Sequence, residues 1–102
     1  MVTLQLTKES LIVPIQSFTP EPFVVLKEIR AVIEESDGEY IASFYDANVS
    51  AGGSNKQEAV DNLKENLLSR FDYLDGLPTE KKLGLGIARQ LAVLREFIGR
   101  RD

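Results

Sequence analysis

Hydrophobic and polar residues alternate most regularly over residues 29–44, and the alternation is interrupted by Asp37-Gly38. Asp-Gly is a strong two-residue hairpin signal, because the favoured turn needs positive φ at both central positions. The pattern predicts a strand over 23–35, the turn, and a return strand over 39–46. Counting outward from the turn pairs Ser36 with Glu39, Ile33 with Ala42, Ala31 with Phe44 and Ile29 with Asp46. One face then carries Ile29, Ala31, Ile33, Ala42 and Phe44, and this is the core face. The other carries Arg30, Val32, Glu34, Ile41, Ser43 and Tyr45, which is more apolar than a fully solvated face requires.

Beyond a short third strand over 48–51 and a corner at Gly52-Gly53, the hydrophobic period changes. Val60, Leu63, Leu67, Phe71 and Leu74 recur at spacings of three and four, the stripe of a helix reaching about Leu74. Asn55 can cap it, with Glu58 completing a capping box; Ser54 with Gln57 is an equally legal alternative. Asp75-Gly76 ends the helix and Pro78 forbids its continuation. A second helix is expected over 87–98, with Ile87, Leu91, Leu94 and Ile98 as its stripe and Gly99 as its end. Residues 1–22 alternate weakly through Val2, Leu4, Leu6, Leu11, Val13 and Ile15. Pro14, Pro20 and Pro22 restrict them to an extended arm or an edge strand. The expected fold is α+β within one domain over 23–102. An antiparallel sheet of three or four strands carries the first helix on one face. A C-terminal helix packs beside that helix or against a partner subunit.

The chain has 102 residues, 43% hydrophobic and 27% charged, the composition of a small globular domain. A core this small is commonly supported by oligomerisation, and with the mixed second face and the proline-rich arm this points to a homodimer. Cysteine and histidine are absent. That removes disulfides, thiolate chemistry, Ser-His and Cys-His pairs and the usual zinc ligands. The net charge of −4 opposes broad nucleic-acid affinity. It is unevenly spread, with six basic residues against three acidic ones over 80–102. No signal peptide and no apolar run long enough to span a membrane is evident, so the expected location is cytoplasmic.

Several residues together carry a family resemblance. They are Val32-Ile33-Glu34 before the turn, Asp37-Gly38, Tyr40-Ile41-Ala42 on the return strand, then Gly53-Ser54-Asn55-Lys56-Gln57-Glu58-Ala59 and Asn62-Leu63. Over residues 25–74 the chain resembles the HicB-type antitoxin family and its solitary, HicB-like relatives. Family members often carry aspartate and threonine where this chain has Ser54 and Asn55. The resemblance implies a β-β-β-α core similar to a truncated ribonuclease-H-like fold. It also implies an antitoxin of a toxin-antitoxin system, binding and neutralising a small basic RNA-cleaving toxin of the HicA type. Family antitoxins often add a C-terminal DNA-binding pair of elements. This chain offers one good helix there, so operator binding is not implied.

No arrangement of residues points to catalysis, and no catalytic, metal-binding or cofactor-binding residue is assigned. Glu34, Glu35, Asp37 and Glu39 cluster at the hairpin, but alternate strand residues point to opposite faces, so they read as a solvated charge cluster. Asp46 reads as a turn residue in Asp46-Ala47-Asn48. Gly52-Gly53 lacks the Lys-Ser/Thr that a phosphate loop requires. The expected function is protein binding, with Glu34, Glu35 and Glu39 meeting the basic toxin. The alternative is a regulatory RNA-binding module, with Arg30 and Tyr45 on the sheet and Arg95, Arg100 and Arg101 in the basic C-terminal segment.

Overall fold

The computed structural model describes residues 10–18, 22–78 and 83–100. The fold is α+β, built around a four-stranded antiparallel sheet. Its strands, β1 (Leu11–Ile15), β3 (Ile29–Ser36), β4 (Glu39–Phe44) and β5 (Val49–Gly53), lie in the order β1-β3-β4-β5. Two helices, α1 (Lys56–Asp75) and α2 (Leu85–Phe97), follow. Two short strands, β2 (Phe23–Val25) and β6 (Ile98–Arg100), pair in a second, two-stranded sheet.

The central hairpin follows from its turn. Asp37 and Gly38 have φ of 54° and 82°, the two positive values of a type I′ turn. Ser36 then pairs with Glu39 and Ile33 with Ala42, as counted from the sequence. Ile29, Ala31, Ile33, Ala42 and Phe44 are all buried. Strand β4 stops at Phe44, so Asp46 does not pair with Ile29. It lies exposed in a turn closed by the Asn48 N–H donating to the Tyr45 carbonyl at 3.1 Å. Asn48 takes the left-handed conformation there (φ 59°), which asparagine tolerates better than most residues.

Glycines 52 and 53 do not form a corner. They extend β5 opposite Ile41 and Tyr40, and the bend falls at Ser54-Asn55. Gly53 is demanded by a close approach to the helix. A Cβ at that position would lie 2.5 Å from the backbone nitrogen of Ala59 and 2.9 Å from its Cα. Asn55 caps α1 by accepting from the Glu58 N–H at 2.8 Å. The Glu58 carboxylate reaches back to the Ser54 N–H at 2.6 Å and the Ser54 hydroxyl at 2.7 Å. Those two bonds, the backbone one foremost, hold the Glu58 carboxyl below its ordinary pKa.

Two elements differ from the sequence reading. The single strand expected over 23–35 is broken into β2 and β3. The chain bends at Leu26-Lys27, where the Leu26 N–H donates to the Phe97 carbonyl at 2.8 Å, and Val25 pairs with Ile98. Both pieces are apolar, so hydropathy gives no sign that their partners lie in different sheets. The second helix stops at Phe97; Ile98 is buried but belongs to β6, and Gly99 faces Val24 instead of ending the helix. Ile87 is 44% exposed, and the buried stripe of α2 is Leu91, Leu94 and Phe97.

The first helix packs on the core face of the sheet through Ala59, Val60, Leu63, Leu67, Phe71 and Leu74. Full burial of each large aliphatic side chain contributes about 1.5–3 kcal/mol. The second helix completes the same core, where Phe97 meets Phe44 edge to face with centroids 4.9 Å apart. Strand β1 is the edge strand that the prolines suggested. Pro14 sits opposite Arg30, and Ile15 and Phe18 are buried. Val2, Leu4, Leu6 and Pro20 lie outside the described residues. Among the described residues no helix is long and apolar enough to cross a membrane.

Gly53→Ala forces the start of α1 away from β5 and is expected to destabilise the fold by about 1–3 kcal/mol, the usual range for overpacking. Gly86→Ala, which meets nothing within 4 Å inside a helix, is expected to stabilise it by about 0.4–1 kcal/mol. Urea titration of both variants checks the contrast.

Candidate functional site

The register of four strands decides which sequence candidates share a surface. Residues of β3 and β4 that alternate with the buried ones point away from α1, onto an outer sheet face. Ile12, Val32, Ser43 and Ser50 are paired in succession across β1, β3, β4 and β5, and form a central row. On one side of it lie Pro14 and Arg30; on the other lie Glu34, Ile41 and Gly52. Ile12 is 58% exposed, Ile41 40% and Tyr45 61%, so neither helix covers this face. Ser43 is buried between its neighbours and donates to the Ser50 hydroxyl at 3.3 Å. The Tyr45 hydroxyl donates to Glu34 Oε1 at 3.2 Å, which lays its ring along the face.

The hairpin acids divide accordingly. Glu34 and Glu39 belong to the outer face, whereas Glu35 pairs with Tyr40 on the side of α1. Arg30 joins Glu34 and Tyr45 on the outer face, its charge 4.0 Å from Glu28 in a loose, exposed ion pair. Among the described residues no group of three or more potential metal ligands converges.

Both edges of this sheet are modified against strand addition. Pro14 on the β1 edge has no N–H to offer an incoming strand. On the β5 edge, Asn62 and Asn66 of α1 donate to the carbonyls of Gly52 and Ser50 at 2.8 and 3.0 Å. Gln90 of α2 likewise donates to the Ala47 carbonyl at 2.8 Å. Asn62 entered the sequence reading only as part of the family motif, and Asn66 and Gln90 were not singled out. Their only signal is the i, i+4 spacing of Asn62 and Asn66 immediately before the core residues Leu63 and Leu67. An open polar cleft of about 550 Å³ lies beside them, lined by Asn48, Ser50, Asn66, Arg70, Tyr73 and Gln90 among others.

The basic C-terminal residues are placed elsewhere, in the helical layer across the core. Arg95 Nε and Arg100 Nε donate to the two oxygens of Asp75 at 2.8 and 3.1 Å, and Arg100 also reaches Asp72 at 2.8 Å. The Arg100 guanidinium lies over both Phe23 and Phe71, 5.3 and 5.4 Å from their centroids. Partial burial pushes the Asp75 carboxyl up, but its bonds to Arg95 and Arg100 outweigh that and hold it below the ordinary aspartate range. Arg100 is held above its ordinary pKa by Asp72 first and Asp75 second. The structure thus groups Arg30, Glu34, Glu39 and Tyr45, and separates them from Glu35, Arg95 and Arg100. Arg101 lies outside the described residues.

No protein-family model matches the chain, no curated protein is significantly similar to it, and no solved structure matches it significantly.

A carboxyl whose folded pKa is depressed stabilises the fold above its unfolded value, about 3.9, and the contribution is lost as pH falls through the folded value. Asp75→Asn is expected to cost about 1 kcal/mol at pH 7. It should also flatten the loss of stability below about pH 4 relative to the parent chain. Thermal melts from pH 7 down to about pH 2.5 test both effects.

Proposed function

We propose that this chain is a non-catalytic protein-binding module, acting in the cytoplasm, that occludes a small basic protein with its outer sheet face. The reading rests on one observation. A packed sheet exposes Ile12, Ile41 and Tyr45 around the half-buried Val32 as an apolar strip, bordered by Glu34 and Glu39. An exposed apolar strip within a polar rim is the usual form of an interaction surface. The acids supply complementarity to a basic partner and speed encounter.

The HicB-like resemblance of residues 25–74 supports the partner chemistry, a small basic toxin of the RNA-cleaving kind. The order β3-β4-β5-α1 is the β-β-β-α succession which that resemblance implies. RNA is the competing occupant of the same face, because Arg30 and Tyr45 both lie there. The neighbouring carboxylates of Glu34 and Glu39 repel phosphate, and Arg95 and Arg100 are engaged with Asp72 and Asp75. Protein binding is therefore the stronger reading.

A tagged pull-down from the native cytosol, with mass spectrometry and RNA sequencing of the eluate, identifies the occupant. A stoichiometric small basic protein is the expected result; enriched RNA without it would replace the proposal by the RNA reading. With the partner in hand, the double variant Glu34→Lys/Glu39→Lys should weaken binding by at least tenfold. Glu35→Lys, on the opposite side, should change it less than about threefold. Association should also slow as salt rises from about 50 to about 500 mM.

A further inference from the structure

The outer face is self-complementary, and the geometry points to a second copy of this chain as its occupant in the free protein. We infer an isologous dimer in which two outer faces stack with the two-fold axis lying along the row Ile12-Val32-Ser43-Ser50. This goes beyond the functional reading above, which concerns a foreign partner, and it stands or falls separately.

The argument uses only register. The central row crosses all four strands at one level. On β3, Arg30 lies two residues to one side of Val32 and Glu34 two residues to the other. A two-fold rotation about the row reverses the strand direction and turns one face onto the other. Arg30 then falls over the partner subunit's Glu34, and Glu34 over the partner subunit's Arg30. Val32 meets Val32 and Ile12 meets Ile12. On β4, Ile41 is level with Glu34, while Tyr45 belongs to the turn after β4 and turns its hydroxyl back to Glu34. Charge therefore meets opposite charge on either side of the row, and apolar meets apolar at Ile12 and Val32 along it.

The groups are free to act in this way. The Arg30 side chain is 72% exposed and its neighbour Glu28 stands 4.0 Å away, so its guanidinium has donors to spare. Glu34 accepts from Tyr45, and a carboxylate has room for further donors. A two-fold along the strands through the centre of the sheet, by contrast, would lay β3 on the partner subunit's β4 and set Glu34 over the partner subunit's Ile41, with no charge pair formed. Strand addition is discouraged at β1 by Pro14 and at β5 by Asn62 and Asn66. Four strands about 4.8 Å apart and five residues of about 3.3 Å each make a patch of roughly 19 by 17 Å. That is about 320 Å² per copy, below the size of a stable interface, so only weak and transient association, on the order of 0.1 mM, is expected.

Sedimentation equilibrium of the full chain, from about 10 µM to about 1 mM, reads the dimer directly. The parent chain should dimerise. Arg30→Glu and Glu34→Arg should each weaken dimerisation by at least tenfold, since each leaves like charges facing across the axis. The double exchange Arg30→Glu/Glu34→Arg should restore it to within about threefold of the parent, a rescue that a merely structural role would not produce. Circular dichroism melts confirm that these exposed variants fold. A monomer throughout the range overturns the inference. So does a dimer whose stability ignores all three variants, or one that both single variants weaken and the double exchange fails to restore. None of these outcomes bears on whether the pull-down yields a basic partner.

Discussion

The structure depends on the register that the Asp37-Gly38 turn imposes. With both residues at positive φ, the turn twists in the same sense as the strands and fixes Ser36 opposite Glu39. A slip of one residue would turn Ile29, Ala31 and Ile33 to solvent and bring Arg30, Val32 and Glu34 onto the helix. Everything packed on the sheet follows from that choice. The core face is built of small residues at its centre, Ala31, Ala42 and Ala51. These leave room for the large aliphatic stripe of α1. The helix approaches closest at Gly53, where the absence of a Cβ lets the strand end meet the backbone of Ala59.

The opposite end of α1 is held by charge. Its last turn carries Asp72 and Asp75 and no basic residue, an unfavourable arrangement at the negative end of a helix dipole. Arg95 from α2 and Arg100 from β6 supply the missing positive charge and form a connected network, where ion pairs contribute more than isolated surface pairs do. Arg100 adds contact with the faces of Phe23 and Phe71, so one side chain joins β6 to α1 and to β2. This gives a local account of the basic C-terminal residues Arg95 and Arg100: they balance acids of the same chain.

The parts legible in the sequence are those whose determinants are neighbours along it. The hairpin register, the Asn55 cap with Glu58 and the α1 stripe each depend on residues within a few positions of one another. The α+β class follows from them. What escaped depends on partners far apart in the chain. The break at Leu26-Lys27 exists because Phe97 and Ile98 come back to pair there, more than seventy residues later. The glycines at 52 and 53 suggest a corner locally, and only the helix's approach explains why Gly53 belongs to a strand. The candidate face was half legible: counting from the turn placed Arg30, Val32, Glu34, Ile41, Ser43 and Tyr45 together. Ile12 and Ser50 joined it only once β1 and β5 were in register. The fate of Arg95 and Arg100 was illegible, because no local pattern links them to Asp75.

A sheet with one face covered has two ways to meet another protein, along an edge or across the open face. Here the edge carbonyls of β5 are occupied by asparagines and the β1 edge carries a proline, so the face is the surface left to specify a contact. A face that is complementary to itself is also an imperfect complement to anything else, and two occupants compete by mass action. In the dimer we infer, any foreign partner must displace the second copy, and its apparent affinity falls by the free energy of that separation. Such a small interface would keep that penalty low while shielding Ile12, Val32 and Ile41 from nonspecific association. The ionic pattern serves the same balance. Arg30 neutralises the face when it meets Glu34 of a like copy, whereas a basic partner meets Glu34 and Glu39 and is repelled by Arg30. Discrimination between the two proposed occupants would thus turn on a single cation, Arg30, on β3.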